Sequence, residues 1–292
     1  GLMKRMFNPM SVSRFVDDHR VCCNFDNLQT CTTLEPQPPL FSCGSLMQNS
    51  VLRIAMWVLG GSALVGNAFV VIMRLQGTSR NVIAYKQSLF IGNLGVSDFL
   101  MGVYMIMIAS VDVYYSNEYY LYSEKWRSGL MCKVASFLAL LSSEASVFFI
   151  TLISIDRCIS ITFPFSKLQL RAKSSKWAVF VFWMIALALA IAPTMVAGPD
   201  SDWYDLSDVC VGLPLITRPS DFTILQSSVG NKAFAIPVPN KSKPAWYFSI
   251  AIFLGLNLAC FFTIFCCYLM IFIRVKISSK TVKRKTKADD EI

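Results

Sequence analysis

Ionisable and amide side chains set into apolar sequence need partners, and a few such positions organise this chain. Asp98 lies midway through one apolar stretch, Gly66 and Asn67 interrupt the stretch before it, and Ser146 sits inside the stretch after it. A carboxylate at membrane depth costs about 2.5 to 3.5 kcal/mol even on insertion scales, so Asp98 is expected to face the interior among polar partners, water or a cation. Small and polar residues also act simply as contacts between helices. That plainer reading is preferred for Asn67 and Ser146 taken alone, and the functional one for Asp98. The third stretch closes on Ser154, Ile155, Asp156, Arg157 and Cys158, with Pro164 as a helix stop. An acid beside an arginine could be interface anchoring, because arginine snorkels. Its weight comes from position: it follows Cys132 by about seven turns, the length needed to cross a bilayer.

The elements that hold these residues are apolar runs at 51–73, 82–111, 134–155, 177–195 and 246–273, each about as long as a bilayer is thick. Lipid cannot hydrogen-bond free amides, so runs of this length are helices. The sequence therefore specifies an all-α membrane protein, a transmembrane helical bundle with spans at 51–73, 82–111, 132–157, 177–197 and 246–273. Residues 198–245 form one long outer loop, and 280–292 begin a further inner loop. Residues 1–50 are polar and carry Pro36, Pro38 and Pro39, which argue against a helix and for a disulfide-stapled extracellular connector.

Basic residues exceed acidic ones, giving a formal charge of +9, and they gather on one side: Arg74 and Arg80, then Lys167, Arg171, Lys173 and Lys176, then 274–287. Short loops rich in Lys and Arg stay cytoplasmic. This is topology rather than nucleic-acid chemistry, and the run Lys283 to Lys287 obeys the same rule. Asp112, Glu118, Glu124, Asp200, Asp202, Asp205 and Asp208 fall on the other side, which puts the amino terminus outside and the carboxyl terminus in the cytoplasm.

Cys22, Cys23, Cys31, Cys43, Cys132 and Cys210 also fall outside, where disulfides persist. Cys22 and Cys23 are expected each to join one of Cys31 and Cys43, with three connectivities possible on paper. A Cys132–Cys210 bridge would pin the long outer loop across the mouth of the helices. Cys158, Cys260, Cys266 and Cys267 lie within or beneath the membrane and read as reduced packing residues. Asn240 heads the one glycosylation sequon, at a distance from the fifth span that argues against occupancy. There is no metal-ligand spacing, phosphate loop or nucleophile with a base, so catalysis has nothing to stand on. The chain starts at Gly1 with no initiator Met or signal peptide, and an upstream segment is expected.

Taken together, Gly66-Asn67, Leu94 with Asp98, Cys132, Asp156-Arg157, Trp183 and Pro193 ten apart, Cys210 and Tyr268 resemble the rhodopsin-like G-protein-coupled receptors in order and spacing. The run from Leu141 to Ser146, the run from Asp98 to Tyr104, Val209-Cys210-Val211 and the run from Ile252 to Ala259 resemble the leucine-rich-repeat-containing receptors, the relaxin-receptor branch above all. Gly1, Met6, Phe7, Pro9 and Met10 resemble a last degenerate repeat, and Cys22-Cys23 the start of a hinge. Three departures stand out. Cys158 replaces the usual tyrosine after the Asp-Arg pair, Cys260 stands where many such receptors carry a proline, and the sixth and seventh spans are missing.

The resemblance implies five of the seven helices of a plasma-membrane receptor for an extracellular peptide or protein hormone, acting on a heterotrimeric G protein and needing no cofactor beyond a possible allosteric sodium ion. Asp98, Asn67 and Ser146 would form the sodium and water cluster. Arg157, held by Asp156 at rest, would meet the G protein when released, and Tyr268 would support the active arrangement. Trp183 and Pro193 would be structural. The competing class is a transporter or channel, which predicts broken helices and several intramembrane charges along a path; Asp98 and Glu144 are the only acids deep in the spans. A membrane enzyme would need clustered His or acidic residues at the interface.

Overall fold

The computed structural model describes residues 14–16, 31–33, 44–47, 49–76, 82–116, 118–164, 166, 169, 171–197, 208–212, 222–229, 232–239 and 246–289. Cys22, Cys23, Cys43 and Asn240 lie outside them, as does the side chain of Cys31. Among the described residues, five helices are long and apolar enough to cross a membrane. They are α1 (Ser50–Gln76), α2 (Val82–Tyr114), α4 (Leu130–Thr162), α5 (Ala172–Ala197), and a fifth built from α6 (Trp246–Ile250), a π-helical turn (Ala251–Asn257) and α7 (Leu258–Asp289). The short α3 (Tyr119–Ser128) joins α2 to α4. Large apolar side chains stand exposed along α1 and α7, among them Val58, Val65, Phe69, Phe261, Phe265 and Phe272. In water such a surface would be ruinous; in hydrocarbon it is the expected outer face.

Several elements go beyond what the sequence pattern predicts. Helix α1 runs unbroken through Gly66 and Asn67, with nothing within 4 Å of a methyl built on Gly66. Helix α7 continues to Asp289, into the segment expected to open a loop. The region before α1 contains a small parallel pair, β1 (Arg14–Val16) with β2 (Cys31–Thr33). The long loop contains a hairpin, β3 (Phe222–Val229) with β4 (Lys232–Pro239), in register Val229 to Lys232. Gly-Asn between the strands is a residue pair suited to a two-residue hairpin turn. The π turn occupies the fifth span close to where rhodopsin-like receptors carry a proline; π turns need no such residue and recur at functional sites.

The chain divides into two compact units. The first contains Gly1–Val58, Tyr104–Phe137 and Pro193–Ser249, the second Leu59–Val103, Leu138–Ala192 and Ile250–Ile292. Within the second unit, α2 approaches α1 closely at Gly102, where a Cβ would stand 2.9 Å from the Leu64 backbone nitrogen and 3.1 Å from the Gly60 carbonyl. Only a residue without a side chain lets two membrane helices meet so tightly. Helix α5 packs on α4 by stacking Phe182 on Phe148 and setting Trp183 edge-on to Phe149.

Candidate functional site

In the second unit, three polar layers join the helices. At the first, the Ser146 hydroxyl of α4 lies 2.6 Å from Asp98 Oδ1 and 2.9 Å from Ser97 Oγ, both on α2. Asn67 is not drawn in: its amide donates to the Ala63 carbonyl, one turn back in its own helix, at 2.9 Å. The cluster expected from sequence thus consists of Asp98 and Ser146 with Ser97 as its third member. A carboxylate and two hydroxyls are hard oxygen donors, the chemistry a small hard cation requires. Beside this layer, Trp183 Nε1 donates to Asn93 Oδ1 at 2.9 Å, which fixes α5 to α2 and gives Trp183 its structural place.

At the second layer, Glu144 of α4 is 1% exposed, and Asn257, the last residue of the π turn, donates its amide to Oε1 at 3.3 Å. Glu144 Oε2 and Asn257 Oδ1 are buried without a hydrogen-bond partner among the described residues. An acid surrounded this way is under-supplied, since a carboxyl group has hydrogen-bonding capacity at both oxygens.

At the third layer, Asp156 accepts from Lys86 Nζ at 2.8 Å, with both side chains about 5% exposed or less. Arg157 is half-buried beside it, with no ion-pair partner among the described residues. The expected resting pair of Asp156 with Arg157 is therefore not what the structure contains: the acid is taken by a lysine from α2. Next to this layer Lys176 of α5 stands 5.7 Å over the Tyr85 ring; of the free cysteines, Cys158 and Cys267 are buried, Cys260 half-buried and Cys266 exposed. Tyr268 is 54% exposed on α7.

The first unit holds a different polar assembly. Cys132 at the start of α4 is bridged to Cys210, the disulfide the sequence allowed. Around the bridge, Asp208 accepts from the Tyr119 hydroxyl at 2.7 Å, with Arg127 Nη1 at 3.7 Å from the same oxygen, and Trp126 Nε1 donates to its carbonyl at 2.9 Å. Ser136 donates to the Cys210 carbonyl and Tyr104 to that of Val209, both at 2.8 Å. Cys210 has φ 49°, a left-handed backbone that costs non-glycine residues on the order of 1 to 3 kcal/mol and persists only where surroundings over-determine it. Here bonds on both sides do so. Burial, with Asp208 beside it, pushes the Tyr119 phenol pKa well above its ordinary value.

The same unit seats the segment ahead of α1. Leu46 and Met47 are buried, and the Met47 N–H donates to Asp112 Oδ1 at 2.9 Å. Arg53 Nε donates to Asp112 Oδ2 at 2.6 Å. Asp112 and Asp208, placed by the sequence on the outer side, are both buried; the signal that would have shown the burial of Asp112 is Arg53, a cation in the first turn of an apolar span.

The pattern of the 7 transmembrane receptor (rhodopsin family) matches residues 66–291. The chain belongs to that family. Among proteins it is similar to, it is 31% identical to the G-protein coupled receptor GRL101 of Lymnaea stagnalis over 97% of this chain and 23% of that one. It is 29% identical to relaxin receptor 2 of Canis lupus familiaris, over 93% of this chain and 34% of the receptor, and 30% identical to the thyrotropin receptor of Bos taurus, over 89% and 29%. The chain spans about a quarter to a third of the length of these relatives.

Proposed function

We propose that this chain carries membrane spans of a G-protein-coupled receptor for an extracellular peptide or protein hormone, relaxin-like or glycoprotein-hormone-like, that signals through a heterotrimeric G protein. The observation that carries the reading is the likeness to relaxin and thyrotropin receptors over about nine tenths of the chain. On this reading the chain is part of a longer plasma-membrane protein, amino terminus outside, whose leucine-rich-repeat ectodomain captures the hormone and whose remaining two helices complete the switch. Met47 on Asp112 and the bridge at Cys210 would pass the hormone's bias inward, because each ties an outer segment to a helix end by short, buried bonds. Asp98, Ser146 and Ser97 would hold a sodium ion, whose charge neutralises the carboxylate at rest. Arg157 would meet the G protein in the active arrangement, and Tyr268 would steady it. A ligand shifts such a switch only by binding its two states unequally.

The test is a second-messenger assay on the complete open reading frame, challenged with relaxin-family peptides and thyrotropin-like hormones. A saturable response to one class, lost in Arg157→Ala at equal surface density, is the expected result. Silence towards both classes from a receptor present at the surface would overturn the hormone assignment.

A further inference from the structure

Lys86 is one of the most buried charges among the described residues, about 3% exposed, and it sits in the second turn of α2, where sequence alone offers it no partner. Its ammonium meets Asp156 on α4 at 2.8 Å, and Asp156 is about 4% exposed. The neighbouring Ser154 hydroxyl is spent on the Ile150 carbonyl. Lys86 is thus the one cation in ion-pair contact with Asp156 among the described residues.

From this we infer that Lys86 is a positioning residue for the signalling switch: it occupies Asp156 in the resting receptor, and its ion pair must open before the end of α4 can adopt the arrangement in which Arg157 serves the G protein. The inference rests on the receptor reading above and adds a regulator to it. A resting restraint built from two different helices reports their separation, whereas a pair of adjacent residues on one helix reports nothing about its neighbours. Any movement of α2 against α4 is therefore felt directly at Asp156. Lysine suits this use because its ammonium is a compact point charge on a flexible stem.

The experiment uses the full-length receptor in cells, at matched surface density, and reads hormone-free recruitment of minimal Gα probes of the s, i and q classes by luminescence complementation. Lys86→Met is expected to raise basal recruitment at least about fivefold, the lower end of ordinary coupling between sites. Lys86→Arg, which keeps the charge, should return it to the wild-type level. In an Asp156→Asn background, itself raised, Lys86→Met should add nothing. Lys86→Gln replaces the methionine variant should that one fail to reach the surface. Wild-type recruitment by the Lys86 variants with Asp156→Asn raised would overturn the role of Lys86 and leave the switch standing, as would additive effects of the two substitutions. No recruitment by any variant, Asp156→Asn included, would instead sink the receptor reading together with the inference.

Discussion

Asp112 and Glu144 are both about 1% exposed, yet their surroundings differ in kind. Both oxygens of Asp112 are engaged, one by a backbone N–H and one by an arginine, so the acid works as a rivet between the segment ahead of α1 and α2. Among the described residues, Glu144 receives a single long bond and keeps one oxygen idle, opposite an asparagine whose own oxygen is also idle. The first arrangement is complete and resists change. The second can improve by rearranging, which is what a moving part requires and a rivet does not.

Asp112→Ala breaks the comparison most severely, since it strands the Met47 N–H and an arginine together. Removing one member of a buried pair costs roughly 3 to 5 kcal/mol, and the lower end applies here because Arg53 is 37% exposed and can find water. Thermal unfolding of the purified receptor in detergent should register it, and an unchanged midpoint would mean Asp112 ties nothing down. Glu144→Gln should act in the opposite direction, because it turns an orphaned acceptor into a donor; leaving a buried polar group unmet costs about 1 to 3 kcal/mol, and part of that should be regained as a higher midpoint. A drop instead would show that the acid has a partner the substitution removed. Trp183→Phe keeps an edge-on ring contact with Phe149 and loses one hydrogen bond to Asn93, so a loss near 1 kcal/mol is expected from the same measurement.

The smallest effect concerns alkaline pH. A phenol whose pKa is raised on folding holds its stabilising contribution below its ordinary value of 10.0, and loses it as pH climbs beyond, because the unfolded chain ionises first. The midpoint of the wild type should therefore fall more steeply above pH 10 than that of Tyr119→Phe. Equal slopes would place the hydroxyl in water.

The five spans were legible because hydropathy is additive along the chain and lipid permits one backbone solution. The resemblance implied that Asp98 would gather Asn67 and Ser146; Ser146 lies 2.6 Å from it, and Asn67 turns to its own helix instead. Lys86 was not legible, because a basic residue near an inner helix end is what topology alone demands, and nothing local separates a solvated lysine from a buried one. Asp208 fails for the same reason in the opposite sense: among neighbouring acids in a polar loop, only the folded contacts of Tyr119, Trp126 and Arg127 distinguish it. The π turn carries no marker residue at all, and helix α3, bounded by polar sequence, shows no apolar stripe long enough to call attention to itself.

That π turn gives the fifth span a surplus residue relative to a regular helix. Tightening Ala251–Asn257 to ordinary pitch at unchanged length would spin everything downstream by about 100° about its axis. Asn257 would swing away from Glu144, and a different stripe of α7 would be offered to its neighbours. A wide turn that closes in this way would act like turning a key in its barrel, whereas a single-codon deletion inside it would remove the surplus and leave the downstream faces nearly where they stand.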